Sequence, residues 1–83
     1  MADFEFSGHA LSMLQERNIS EEWLWCAIKS PDRIEVGTDN NTYYIKVIQE
    51  YSGRVLRVVV NSRVTPKRII TVFFDRRLGR RQI

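Results

Sequence analysis

Hydrophobic and polar positions in the first third of the chain predict one short strand followed by two helices. Residues 3–6 alternate polar and aromatic side chains, as in a strand with one buried face. Apolar residues then recur with the three- and four-residue spacing of a helix. Ser7 and Ser20 precede the two helical segments as N-caps, and Pro31 ends the second segment.

The remainder of the chain has the composition of β-strands separated by turns. Segments rich in β-branched and aromatic residues alternate with turn-forming residues, which predicts strands at 33–36, 42–51, 54–61 and 68–74. The last strand is apolar on both faces, which predicts a central place in the sheet or cover on both sides. This order favours an α+β fold: a short N-terminal strand, two helices, and an antiparallel sheet of three to four strands.

Alternation along the strands assigns their faces. The more apolar set of each strand should meet the helices: Tyr43, Ile45 and Val47 in one strand, and Leu56, Val58 and Val60 in the next. The opposite face then carries Tyr44, Lys46 and Arg57 together. A bulge of one residue in either strand would invert this assignment.

Length and composition set the class of protein. The 83 residues, 43% of them hydrophobic, predict a single folded domain over residues 1–83. Cys26 is the one cysteine, so an internal disulfide is excluded. No apolar stretch approaches the roughly 20 residues that cross a bilayer, and no secretory signal is evident. We therefore expect a cytoplasmic protein without a membrane partner.

The charged residues are distributed unevenly along the chain. Residues 1–53 carry four basic and nine acidic side chains, whereas residues 54–83 carry nine basic ones and a single acid. Most of the late cations are arginines, whose planar guanidinium suits phosphate, so they predict binding of RNA, a ribosome or an acidic protein. Solubility is the alternative role. The binding candidates are Arg54, Arg63, Lys67, Arg68, Arg76, Arg77, Arg80 and Arg81, the last four in a basic tail at 76–83 that we expect to be mobile at its end.

Short motifs in the first half resemble a known family. An aromatic-Ser-x-His-Ala start, an Arg-x-Ile-Ser link and a closing Pro are formed by Phe6, Ser7, His9, Ala10, Arg17, Ile19, Ser20 and Pro31. Together with the hairpin at 43–61, they are similar to a bacterial domain family of unknown function, family 4258. That family is in turn distantly similar to the RelE/ParE and BrnT toxins of toxin–antitoxin pairs.

The resemblance implies a RelE/ParE toxin-like fold. RelE-like members cut mRNA at the ribosome and ParE-like members act on gyrase, so a metal-independent endoribonuclease is one activity that the resemblance allows. It also implies an acidic antitoxin-like partner. The chain departs from many RelE-like nucleases, which use a tyrosine near the C-terminus, because its last tyrosine is Tyr51.

Four residues are candidates for catalysis. Tyr44 or Lys46 could transfer a proton while Arg57 stabilises charge on a phosphate. His9 could act as a base or contact phosphate at a helix N-terminus. The alternatives are a solvated sheet face for the first three and a local packing or capping role for His9. No metal or cofactor is expected, because one His and one Cys cannot form a dedicated metal site.

Trp25 lies in a run of six apolar residues in the second helix and is expected to point outward. There it would anchor a homodimer or antitoxin interface, or else contact the first helix. Two hypotheses follow for the protein as a whole. The first is a toxin-like domain that binds RNA and could cleave it without a metal. The second is a non-catalytic interaction or regulatory module of the same fold.

Overall fold

Two helices and five strands make up the computed structural model of the protein, which describes residues 4–75. Their bounds are β1 (Phe4–Phe6), α1 (Gly8–Glu16), α2 (Glu21–Lys29), β2 (Arg33–Val36), β3 (Thr42–Ile48), β4 (Arg54–Asn61) and β5 (Lys67–Asp75). A 3₁₀ turn over Gln49–Tyr51 stands where the sequence predicted that β3 would continue. The predicted α+β class is confirmed.

The strands form one mixed sheet in the order β1-β5-β4-β3-β2. Neighbouring strands from β2 to β5 pair antiparallel, whereas β1 pairs parallel with β5. The predicted antiparallel sheet of three to four strands corresponds to β2–β5, and the predicted N-terminal strand joins it as a fifth strand within residues 4–75. The strand β5 lies between β1 and β4 and is therefore an interior strand of the sheet, one of the two arrangements that its apolar sequence predicted.

Serine caps begin both helices, as predicted. The Ser7 Oγ accepts a hydrogen bond from the Ala10 backbone N–H at 3.0 Å, and the Ser20 Oγ accepts from the Glu22 N–H at 3.1 Å. Between the helices, Asn18 adopts a left-handed conformation with φ of 52°, which allows the sharp change of direction. Within residues 4–75, neither helix is long and apolar enough to span a membrane.

The hydrophobic core lies between the two helices and one face of the sheet. Its fully buried large side chains are Leu24, Leu56, Ile69, Val58, Val60 and Val72. Phe4, Phe6, Trp23 and Trp25 pack against this core from its margin. The core thus covers one sheet face, and the described helices leave the other face open.

The predicted face of β4 is correct, and that of β3 is wrong. Tyr44 pairs with Val58 and Lys46 pairs with Leu56, and directly opposed residues share a face. Tyr44 and Lys46 therefore lie on the helix side of the sheet. The alternation of β3 gave little contrast because both of its faces are apolar. Tyr44 and Lys46 share their face with Ile48, which is buried in the core.

Candidate functional site

We call the sheet face that points away from α1 and α2 the open face. A row of three residues crosses its centre: Ile45 on β3, Arg57 on β4 and Phe73 on β5. Ile45 is 4% exposed, and the side chain of Arg57 is 19% exposed. A cation thus lies among apolar side chains at the middle of the face, where it needs a counter-ion.

Asp75 is that counter-ion. It lies two positions beyond Phe73 on β5, and therefore on the same face. The Nε of Arg57 is 3.0 Å from Oδ2 of Asp75, whose side chain is 9% exposed. Among the described residues, the Nε–H has no aligned hydrogen-bond acceptor. The contact is therefore an ion pair that depends on charge and burial, and it neutralises the cation that was predicted to meet phosphate.

Tyr43 borders Arg57 on the open face. The Arg57 guanidinium carbon lies 5.8 Å from the centre of the Tyr43 ring, within cation–π range. The Tyr43 hydroxyl donates to Oδ2 of Asp39 at 3.0 Å, and this hydrogen bond raises the pKa of Tyr43. The backbone N–H of Asn41 donates to Asp39 at 3.0 Å and is the main reason that the pKa of Asp39 is lowered. The β2–β3 turn thus fixes the position of the ring.

Two further contacts tie this turn to the sheet. A Cβ at Gly37 would lie 2.7 Å from Cε1 of Tyr43, so only glycine leaves room for the ring. Arg63, in the β4–β5 loop, donates through Nη2 to Oδ1 of Asn41 at 3.2 Å. Arg63 was predicted to bind a polyanion, and within the described residues it links two loops at one end of the sheet.

The four predicted catalytic residues do not form one cluster. Tyr44 and Lys46 lie on the helix side and Arg57 on the open face, so the predicted grouping of these three is wrong. The Lys46 Nζ lies 3.8 Å from Oδ1 of Asp32. His9 is exposed in the first turn of α1, again on the helix side. The sheet therefore separates the predicted proton-transfer groups, Tyr44 and Lys46, from the Arg57 guanidinium.

Other predicted binding cations contact groups within the described chain. Nη2 of Arg68 is 3.2 Å from Oε2 of Glu5. The Lys67 ammonium lies 5.6 Å from the centre of the Phe4 ring. The remaining four predicted residues, Arg76, Arg77, Arg80 and Arg81, lie outside the described residues, as does the predicted tail that contains them.

Arg54 is the outermost member of an aromatic stack at the other end of the sheet. Its guanidinium carbon lies 4.7 Å from the centre of the Tyr51 ring. Tyr51 is itself stacked on Trp23, with ring centres 5.4 Å apart and planes inclined by 26°. Tyr51 is 39% exposed, so one margin of the stack remains accessible beside an exposed guanidinium.

The sequence predicted that Trp25 points outward, but in the structure Trp25 packs against β1. Its ring makes edge contacts with Phe4 and Phe6 of β1, at ring-centre distances of 6.1 and 5.7 Å. The side chain is half-buried and packs against the core. Trp25 therefore connects β1 to α2, and its role as an interface anchor stays a prediction.

The fold and this site define a small α+β domain in which one mixed sheet has helices on one face and a shielded ion pair on the other. The family model described as Domain of unknown function (DUF4258) matches residues 6–74, and the chain belongs to this family. The resemblance seen in the sequence is thus confirmed for the family, while the likeness to RelE/ParE and BrnT toxins stays a prediction. A search of curated proteins and a search of solved structures each found no significant match.

Sequence reasoning missed Asp75, Tyr43 and Asp39 as parts of the open face. Asp75 carried one signal, since it is the only acid among the residues after Gly53. Tyr43 and Asp39 are only four residues apart in the sequence. Whether their contact belongs to the open face depends on the face that Tyr43 occupies. That face follows from strand register, which alternation did not determine.

Proposed function

We propose that the protein binds single-stranded RNA through Arg54 and the four arginines of residues 76–83. We name this set the C-terminal arginine group: Arg54, Arg76, Arg77, Arg80 and Arg81. The distribution of charge is the observation that carries the proposal. Residues 4–75 contain nine basic and nine acidic side chains, whereas residues 76–83 contain four arginines and no acid. The excess of positive charge therefore belongs to the last eight residues of the sequence.

Strand pairing supports including Arg54 in the group. Asp75, which directly precedes the arginine-rich segment in the sequence, pairs with Val55, the residue next to Arg54. No carboxylate of the described residues forms an ion pair with Arg54. Its charge is thus available to a polyanion, unlike that of Arg57 or Arg68.

The stack beneath Arg54 favours RNA over an acidic peptide as the partner. Unpaired bases bind to exposed aromatic rings and guanidinium planes, while the phosphates bind to cations. Tyr51 and Arg54 offer these two kinds of contact next to each other. An acidic peptide would use the charges and would gain nothing from the ring.

The proposal covers binding and includes no reaction. Cleavage of RNA without a metal needs a base, an acid and a cation around one phosphate. The candidates Lys46 and Arg57 lie on different faces of the sheet, and Arg57 is already paired with Asp75. Release of shortened RNA during the binding assay below would contradict this restriction.

The test is a binding titration that compares matched variants. Fluorescence anisotropy of a short labelled single-stranded RNA is measured with the wild type and with a variant in which all four arginines after Asp75 are replaced by Gln. Counterion release at about 0.1 M salt predicts a loss of affinity on the order of a hundredfold. Replacement of the same four residues by Lys keeps the charge, so most of the affinity should remain.

Arg68→Gln is the control for charge removal elsewhere. Its side chain is paired with Glu5 of the same chain, and we expect its loss to change affinity by less than about threefold. Equal weakening by this control and by the Gln tail would contradict the proposal. Tighter binding of poly-glutamate than of RNA would point to an acidic protein partner and would also contradict it.

A further inference from the structure

The strand β2 forms one edge of the sheet and is unusually exposed. It pairs only with β3 among the described strands, and all four of its residues are exposed. Ile34 and Val36 are 54% and 72% exposed, although both are apolar. An edge with free backbone groups and exposed apolar side chains is suited to pairing with another strand.

The backbone geometry shows which groups are free. Gly37 donates its N–H to the carbonyl of Asn41, just beyond the last strand pair. Hydrogen-bonded pairs recur at every second residue of an antiparallel ladder. Glu35 and Arg33 therefore direct their backbone groups toward β3, and those of Ile34 and Val36 point away from the sheet.

We propose that β2 is a homodimer interface at which two copies join their sheets edge to edge. The strands would run antiparallel about a two-fold axis at Ile34, so that Ile34 of one copy lies opposite Ile34 of the other. The outward N–H and C=O of the two Ile34 residues then form a hydrogen-bonded pair. The two Ile34 side chains, one from each copy, would contact each other on the helix side of the joined sheet.

Charge selects this register among the alternatives. With the axis at Ile34, Arg33 of each copy lies opposite Glu35 of the other, which gives two cross-strand pairs of opposite charge. With the axis at Glu35, two carboxylates would oppose each other. A shift by one residue would place helix-side residues opposite open-face residues, which the pleat does not allow. The pattern Arg-Ile-Glu is therefore complementary to itself.

The Arg33–Glu35 contact within the chain does not compete strongly with this exchange. Nη2 of Arg33 lies 2.7 Å from Oε2 of Glu35, but the two side chains are 58% and 43% exposed. Exposed pairs of this kind contribute little to stability. Each side chain can turn from its own neighbour to the same group in a second copy at small cost.

Complementary charge reversal provides the test. Sedimentation velocity of the full chain, over a wide concentration range, is measured for the wild type, Arg33→Glu, Glu35→Arg and an equimolar mixture of the two variants. Each variant alone would place like charges opposite each other, and we expect self-association about tenfold weaker than in the wild type. In the mixture, one variant presents two carboxylates to two guanidinium groups of the other. Both cross-strand pairs are thereby restored, and association should return to within about threefold of the wild type.

Two controls keep this result specific. Arg17→Glu and Glu16→Arg make the same changes of net charge at the end of α1, away from β2, and should leave association unchanged. Thermal melting by circular dichroism verifies that each variant is folded. A wild type that stays monomeric at the highest concentration, or a mixture that associates no better than its separate variants, would overturn the proposal.

Discussion

Arg57 was predicted from the sequence to contact phosphate, but in the structure it forms an ion pair with Asp75. Its position in a basic strand favours a contact with phosphate, yet Asp75 lies 3.0 Å away and is 9% exposed. Removing one member of a shielded ion pair is costly, because the remaining buried charge loses the attraction of that member. At this position the guanidinium is best understood as part of the folded open face rather than as a free binding group.

This account predicts a large loss of stability when Arg57 alone is removed. Arg57→Met should lower the free energy of unfolding by about 2 kcal/mol, measured by urea denaturation, because the buried Asp75 carboxylate loses its contact with the Arg57 guanidinium. Adding Asp75→Asn to Arg57→Met should recover about half of that loss. The matched control, Arg33→Met, removes an exposed cation from the same face and should cost less than about 0.5 kcal/mol. Equal losses for Arg57→Met and Arg33→Met would show that the pair is not shielded.

The face assignments of β3 and β4 show how far single residues could be placed from the sequence. Alternation predicted the faces of β4 correctly, because Leu56, Val58 and Val60 contrast with Arg57 and Asn61. It was wrong for β3, where either face could have entered the core. Half of the proposed catalytic group moved to the other side of the sheet for that single reason.

At the scale of the elements, Ser7 joins two parts of the chain that are far apart in sequence. Its Oγ accepts from the Ala10 N–H and also donates to the carbonyl of Ile70, both at 3.0 Å. One hydroxyl thus caps α1 and attaches the start of that helix to β5. This explains in structural terms why a serine stands in the first of the motifs that resemble the family.

The two helix caps give a matched pair for testing this double role. Ser7→Ala should lower the free energy of unfolding by about 2 kcal/mol, since it removes a cap and a partly buried hydrogen bond. Ser20→Ala removes only an exposed cap bond to Glu22 and should cost about 0.5–1 kcal/mol. Both values come from chemical denaturation. If the two variants lose the same stability, the bond from Ser7 to Ile70 contributes nothing.

The starts of both helices and the end of α2 were well predicted, since the serine caps and Pro31 are local signals. The pairing of β1 with β5 was not predictable in the same way. These strands lie at opposite ends of the described chain, and a run of three residues carries no signal for its partner. The inward position of Trp25 follows from that pairing, because β1 supplies the two rings that it contacts.

On the scale of the whole molecule, the uneven charge along the sequence does not make the described part of the chain basic. The described residues are balanced in charge, and several of their cations are paired with carboxylates of the same chain. The late half of the chain is therefore not a uniformly basic surface. The proposal therefore assigns polyanion binding to the C-terminal arginine group, which combines Arg54 with the four arginines that follow Asp75 in the sequence.

The salt dependence of RNA binding tests this account most directly. Affinity for single-stranded RNA should fall with salt along a slope of about −3.5 in log K against log salt, as expected for roughly five phosphate contacts. Replacing the four arginines after Asp75 by Gln should reduce that slope to about −1, and homopolymers of different bases should show the same change. Equal slopes for the wild type and the Gln variant would contradict the claim that these arginines carry the binding.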